Sequence, residues 1–316
     1  MKCIVTGVAG FIGSHLAERL IKLGYDVLGI DCFTDYYPRE LKERNLQQLI
    51  AVGGKKFTML EEDLVVSDLT HIVTDEDYIF HEAAQPGVRA SWGVQFDLYI
   101  RNNVLATQKL LEAVKHVNIN RFIYASSSSV YGNCAMLPMR EDITPEPISP
   151  YGVTKLACEH LCKLYYEQFD VPIMILRYFT VYGPRQRPDM GFYKFIYAAL
   201  TDTKITIYGD GSQIRDFTYI SDVIDANILA MTKGNLGEVY NIGGGTKFTI
   251  NAALELVEKL TGKQLTIDYT AVAKGDVRAT EAAITKAESL LGYAPKVKLA
   301  TGLRAEIEWL AEQIKP

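Results

Sequence analysis

Histidine and cysteine are scarce in this chain, five of each among 316 residues, and neither type clusters at metal-ligand spacing. Cys158 and Cys162 fall four apart on a helical pattern, but no histidine or carboxylate stands at a suitable distance. They read as small core residues, and no metal is expected. The cysteines Cys3, Cys32, Cys134, Cys158 and Cys162 are odd in number, which fits a reducing cytoplasm. No apolar run approaches the ~20 residues of a membrane span. The first apolar run is broken at once by a glycine turn, so no signal peptide is expected. A net charge of −5 gives no reason to expect a nucleic-acid or membrane-surface partner. Repeats, low-complexity tracts and long linkers are missing too. What remains is a chain that is 48% apolar and long enough for a large core and two closely packed lobes.

The opening, MKCIVTGVAGFIGSHLAERL, is rich in information. Lys2 to Thr6 read as a short buried strand, and Gly7, Gly10 and Gly13 give the spacing G-x-x-G-x-x-G. From Phe11 to Leu23 the apolar residues Ile12, Leu16, Leu20 and Leu23 recur at helical intervals. Strand, glycine turn and helix together form the context of a dinucleotide fingerprint, in which the helix N-terminus receives a pyrophosphate. Asp31 ends the next strand, DVLGID. A carboxylate there accepts hydrogen bonds from adenosine ribose hydroxyls and repels a 2′-phosphate, which predicts NAD rather than NADP.

Farther along, the run SSSSVYG precedes SPYGVTK. Ser149 is placed to cap a helix with Pro150 at its first position. Tyr151 and Lys155, one turn apart, leave the same face of that helix. A phenol serving as a base at neutral pH needs help, since free tyrosine titrates near ~10. A neighbouring ammonium favours the phenolate. Alone, Y-x-x-x-K is common on amphipathic helices; the glycine turn and the serine cluster give it weight.

Strand-like runs alternate with helical ones through the first half: KCIVT, DVLGID, KFTML, DYIFH, RFIYAS and PIMILRY, with helical patterns near 11–23, 39–50, 101–117 and 150–169. This alternation predicts an α/β fold with a doubly wound parallel Rossmann sheet. After Phe179 the pattern shifts to loops rich in Pro, Gly and Arg. The division expected is 1–179 for the NAD-binding domain and 180–316 for a smaller mixed α/β substrate lobe, with a strand near 237–244 returning to the first. The ligand site then lies between the lobes, at the carboxyl ends of the strands.

On these motifs the chain resembles the extended short-chain dehydrogenase/reductase family, and within it the nucleotide-sugar 4-epimerases acting on UDP-glucuronic acid. The resemblance runs from the glycine turn to the segment GDVRAT. It implies tightly bound NAD, a UDP-sugar substrate, a transient 4-keto intermediate and UDP-galacturonic acid as product. It further implies a homodimer through helices near 101–117 and 150–169. The implied catalytic residues are Ser127, Tyr151 and Lys155. The implied cofactor contacts are Gly7, Gly10, Phe11, Ile12, Gly13, Asp31, Asp63, Leu64, Ala83, Ala84, Asn102, Tyr151, Lys155 and Tyr178.

Three places narrow the implied reaction. Sugar-nucleotide 4,6-dehydratases resemble T-D-E-V-Y-G, and UDP-glucuronate decarboxylases T-S-E-V-Y-G, where this chain carries Ser128 and Ser129 and no acid. Thr180, in RYFTVYGPRQRPDM, stands where many relatives have asparagine. Arg89, in HEAAQPGVRASWG, matches the same subgroup. Ser127, Ser128, Ser129, Tyr151 and Thr180 are therefore expected at the sugar, and Arg89, Arg187, Arg215 and Arg278 at the diphosphate, uridine or sugar carboxylate, since guanidinium forks match such oxygens. One departure is Glu82, where relatives often carry leucine or another small apolar residue. It follows a buried strand and is expected to face outward. Rival readings are an epimerase of UDP-glucose and UDP-galactose, a decarboxylase giving UDP-xylose, and a non-catalytic NAD-binding scaffold on the same fold.

Overall fold

Branched and aromatic residues fill the strands of the first half almost without polar interruption, the pattern of strands covered on both faces. In the computed structural model, which describes residues 1–314, these strands form one seven-stranded sheet whose pairs all run parallel. The chain runs β1 (Lys2–Thr6), α1 (Phe11–Lys22), β2 (Asp26–Asp31), α2 (Arg39–Gly53), β3 (Phe57–Glu61) and β4 (Tyr78–His81). Helix α3 (Phe96–Tyr99) continues through a π-helical turn, Ile100–Leu105, into α4 (Ala106–Val114). Then come β5 (Arg121–Ser127), α5 (Pro150–Phe169) and β6 (Ile173–Tyr178).

Beyond β6, β7 (Thr180–Tyr182), α6 (Gly191–Thr201), β8 (Ile205–Tyr208) and β9 (Ile214–Tyr219) build a smaller lobe, and α7 (Ile220–Ala230) returns to the large sheet. β10 (Val239–Ile242), β11 (Lys247–Thr249), α8 (Ile250–Thr261), β12 (Ile267–Thr270), α9 (Thr285–Leu291) and α10 (Leu299–Gln313) complete the chain. The large sheet has the order β10-β6-β5-β4-β1-β2-β3, so β10 returns from late in the sequence to extend the edge at β6. β11-β9-β7 and β12-β8 form two small sheets.

Two apolar layers cover the large sheet. Leu16 and Leu20 of α1, Leu49 of α2 and Val223 of α7 belong to one layer. Leu110 and Leu111 of α4, with Cys158 and Cys162 of α5, belong to the other, so these two cysteines are core residues. A third cluster, around Tyr182, Phe192, Phe217 and Leu254, holds the smaller lobe.

Helix α5 begins as its sequence dictates: Ser149 Oγ accepts the Gly152 N–H at 3.1 Å, with Pro150 in the first turn. A buried ion pair locks α5 to β6, Arg177 Nη2 lying 2.6 Å from Glu159 Oε2. The region expected as one helix over 101–117 is instead broken by the π turn, which carries Asn102 and Asn103. π turns recur at functional sites because the extra residue re-aims side chains.

Candidate active site

At the carboxyl ends of β1 to β5 an elongated cavity opens, and every residue expected to hold the cofactor lines it, from Gly7 through Asp31 and Asp63 to Tyr151, Lys155 and Tyr178. The glycines are there for steric reasons. Gly7 has φ +68°, and a Cβ on it would lie 2.9 Å from Ala83 Cα. A Cβ on Gly13 would lie 2.2 Å from the Gly7 carbonyl oxygen. Gly10 is the N-cap of α1 and has no side chain to cap it, so the first-turn N–H groups are open to an anion. Asp31 accepts the N–H groups of Ala9 at 3.1 Å and Phe33 at 2.8 Å. Burial pushes its carboxyl above the ordinary value, opposed by Lys42 and by those two bonds. Asp63 accepts the Val65 N–H at 2.9 Å and pairs with Arg101 at 2.6 Å.

The π turn sends Asn102 into the cavity and Asn103 into the protein. Asn103 Oδ1 accepts the Gln85 N–H at 2.6 Å, and its Nδ2 donates to Thr154 Oγ1 at 3.0 Å. The turn thereby ties the chain after β4 to α5. Nearby, the His81 ring bridges Thr6 Oγ1 at 2.8 Å and Thr107 Oγ1 at 2.9 Å.

Tyr151 and Lys155 wall the opposite end of the cavity from Asp31. Lys155 Nζ donates to the Ala125 carbonyl at 2.7 Å and lies 5.0 Å from the Tyr124 ring centroid. Tyr151 meets Tyr99 edge-on, centroids 6.3 Å apart. Ser127 ends β5, and its Oγ accepts the Ser129 N–H at 3.1 Å while donating to Ser129 Oγ at 3.1 Å. Ser128 and Ser129 open a 3-10 turn over Ser128–Tyr131. Ser126, by contrast, points into the protein and donates to Glu159, a structural role.

Glu82 does not face outward. β4 ends at His81, so in–out alternation no longer governs the next residue, and the chain bends over the sheet edge into the cavity. Its Oε1 accepts the Tyr178 O–H at 2.8 Å. Burial pushes the Glu82 carboxyl up to about 7, against the lowering effects of that bond and of the Lys155 charge.

A second cavity adjoins the first and reaches into the smaller lobe. Thr180, Arg89 and Arg215 line it. Arg89 Nη2 pairs with Asp276 at 2.6 Å, and its guanidinium lies 4.1 Å from the Tyr208 ring centroid. Arg215 Nη1 donates to the Ile214 carbonyl, and burial lowers its basicity. Arg187 lines the first cavity and grips Asp189 through Nε at 2.9 Å and Nη2 at 3.0 Å. Arg278 is exposed and lies outside the linings of both cavities, its N–H donating to Asn133 Oδ1 at 3.3 Å. Ser127, Ser128 and Ser129 are half-buried beside the catalytic end, and they too fall outside both linings.

Sequence reasoning missed Tyr36, which lines both cavities, and Tyr37 and Gln85, which line the first. The aromatic pair in TDYYPRE, directly after Asp31, was the available signal for the tyrosines. Among the described residues no group of histidines, cysteines or carboxylates is arranged to hold a metal.

A glycine turn facing an uncapped helix start, an aspartate at the end of the second strand and a tyrosine–lysine pair in one cavity define a nicotinamide-dependent enzyme of the Rossmann type, and the residues present fit NAD. The chain belongs to the NAD dependent epimerase/dehydratase family, whose model matches residues 3–243. It is 45% identical over 98% of both chains to a Bacillus subtilis (strain 168) protein named an uncharacterized UDP-glucose epimerase, YtcB. It is 38% identical to the UDP-glucuronate 4-epimerase of Thermodesulfobacterium geofontis (strain OPF15), over 99% of this chain and 97% of that one. The solved UDP-glucuronic acid 4-epimerase of Bacillus cereus, in complex with UDP-glucuronic acid and NAD, superposes with a TM-score of 0.96 at 47% identity and full coverage of both chains.

Proposed function

We propose that this protein is an isomerase, an NAD-dependent UDP-glucuronate 4-epimerase that interconverts UDP-glucuronic acid and UDP-galacturonic acid. The observation that carries this reading is the serine run at the end of β5, with hydroxyls at Ser128 and Ser129 where dehydratases place an acid pair and decarboxylases an acid at the second position alone, combined with Thr180 in the second cavity.

NAD, when bound, supplies the acceptor and donor of a hydride at carbon 4. Every other task falls to the chain. Tyr151, one helical turn from the Lys155 ammonium, takes the proton from the sugar's 4-hydroxyl and returns it. Lys155 is held in place by the Ala125 carbonyl. Ser127 hydrogen-bonds the same hydroxyl. Arg187 and Arg215 hold the diphosphate and uridine while the 4-keto sugar turns over in the second cavity, and Arg278, exposed outside both linings, reaches the uridine only by swinging inward. Arg89, lining the same cavity, offers its guanidinium to the substrate's oxygens. The keto sugar is a β-keto acid prone to lose carbon dioxide, and Ser128, Ser129 and Thr180 hold its carboxylate away from the geometry of carbon–carbon cleavage.

Residues 1–179 with the return strand β10 form the cofactor lobe and 180–316 the sugar lobe. The enzyme works as a cytoplasmic homodimer. Leu98, Leu105, Val153, Leu164 and Phe169 are exposed apolar residues on the paired helices α3/α4 and α5 and supply the contact.

The deciding experiment incubates purified protein with UDP-glucuronic acid, adds no NAD and resolves products by NMR. Accumulation of UDP-galacturonic acid to an equilibrium mixture is expected. A UDP-pentose product would overturn the reading of Ser129. Inertness toward the acid with turnover of UDP-glucose would move the function to the neutral-sugar epimerase, the alternative favoured by the name of the Bacillus subtilis relative.

A further inference from the structure

Glu82 is a carboxylate where the resemblance leads one to expect an apolar side chain, and the structure does not leave it in solvent. It sits at the Tyr151–Lys155 end of the cofactor cavity, away from Asp31. A relay of buried groups fixes it there. Asn227 of α7, fully buried, donates through Nδ2 both to the Val223 carbonyl at 2.9 Å and to the Tyr178 hydroxyl oxygen at 2.8 Å. Those two bonds set the amide, and the Tyr178 hydroxyl lies 2.8 Å from Glu82 Oε1 and 3.1 Å from Asn227 Oδ1; the carboxylate is the nearer acceptor of its one proton. Three elements, α7, β6 and the end of β4, thus converge to hold one carboxylate. The ionisable groups near it are Tyr178 on β6, Lys155 on α5 and the adjacent His81.

We propose that Glu82 sets the charge balance of the bound cofactor, favouring the cationic, oxidised nicotinamide over the neutral, reduced one. The inference rests on NAD binding here as the function proposed above requires. Where a bound cofactor fills the cavity, a fixed negative charge beside it acts on a positive ring, and its effect disappears once the ring has taken up a hydride. An apolar residue has no such preference. The hydride step itself is unchanged: the carbon 4–hydrogen bond breaks, its electron pair leaves with the hydrogen for the ring, the hydroxyl proton goes to Tyr151, and both return. The carboxylate shifts the balance of that step toward its starting side. Glu82 therefore shortens the lifetime of the keto sugar, whose carboxyl group is prone to leave and whose escape would strand the enzyme in the reduced state.

The test needs no sugar. Holoenzyme and the variants Glu82→Gln and Glu82→Leu are equilibrated anaerobically, above neutral pH, with two-electron indicator dyes, and the oxidised and reduced fractions of bound cofactor are read by absorbance. Glutamine keeps the acceptor for Tyr178 and removes only the charge; leucine is the residue that relatives often carry. The expected result is that both variants shift the equilibrium toward reduced cofactor by about tenfold, about 30 mV for a two-electron couple. Shifts below twofold in variants that still hold the cofactor overturn the proposal. A shift in Glu82→Leu with none in Glu82→Gln also overturns it, because packing and not charge would then be responsible. If leucine prevents folding or cofactor retention, Glu82→Gln decides alone. Loss of the epimerase reading leaves this measurement standing, so the two ideas fail separately.

Discussion

Around Gly7 and Gly13 the wall of the first cavity is backbone, packed too closely to admit a Cβ without a shift, whereas the second cavity is walled in part by charged side chains already in ion pairs, Arg89 with Asp276 and Asp189 with Arg187. The first region is fixed before any ligand arrives and holds a group that never has to leave. The second must admit one UDP-sugar, let its ring turn and release the other, so its walls are ion pairs that can be exchanged for phosphate or carboxylate oxygens. Rigid backbone suits a resident cofactor, and mobile charge suits a passing substrate.

The sharpest way to break this contrast acts where the regions meet. Tyr151→Phe removes the base and leaves both walls untouched, so kcat should fall by ~10²–10⁴-fold while NAD stays bound. Substantial residual turnover would contradict the assignment. His81 tests the framework behind the backbone wall. Burial pushes its pKa from the ordinary 6.5 down to about 3, so the ring is neutral in the folded protein. The unfolded chain takes up that proton first, and stability intact above pH 6.5 is lost as pH falls toward 3, by roughly 5 kcal/mol from ~1.36 kcal/mol per unit. Denaturant titrations of His81→Asn should show a flatter acid limb than the parent.

Gly13→Ala probes the wall itself. The new methyl would collide with the Gly7 carbonyl, costing ~1–3 kcal/mol and most of the co-purifying NAD. A variant with full NAD content would show that the turn gives way more easily than its geometry implies. In the second region Thr180→Val should raise the KM for UDP-glucuronic acid about tenfold, equivalent to one hydrogen bond to a charged group, and increase the pentose by-product. If neither moves, Thr180 does not hold the carboxylate. The smallest effect belongs to the pair of Arg89, about half exposed, and Asp276. A double-mutant cycle with Arg89→Ala and Asp276→Asn should give a coupling of ~0.2–1 kcal/mol in stability, with a larger change in KM than in kcat. Strong coupling in stability would make the pair a structural strut.

The same contrast governs what could be read from the chain alone. Glycine spacing, a strand-ending aspartate and a capped Tyr/Lys helix are local signals, and each specifies its backbone within a few residues, so the first cavity was legible from sequence. Arg89 and Asp276 stand far apart in the chain, and nothing near either one announces the other. The π turn at Ile100–Leu105 escaped because its apolar spacing differs from that of a plain helix by a single residue. Glu82 was misplaced for a related reason: β4, with Ile79, Phe80 and His81 buried in succession, carries no alternation from which to extrapolate. Its position directly before Ala83 and Ala84, both assigned to the cofactor, was the better guide.

The return of β10 to the sheet edge has a consequence for biogenesis. β6 emerges from the ribosome with one flank unpaired and stays so until Val239–Ile242 has been synthesised. Asn241, which accepts the Tyr131 hydroxyl at 2.8 Å and takes its own backbone partner from Glu141, then seals the segment behind the serine run. A nascent chain stopped near residue 179 carries an open strand edge of the kind chaperones recognise and aggregates propagate from. The seven-stranded sheet beneath the NAD cavity is complete only once the chain has been translated through Ile242, so it does not mature with residues 1–179 alone.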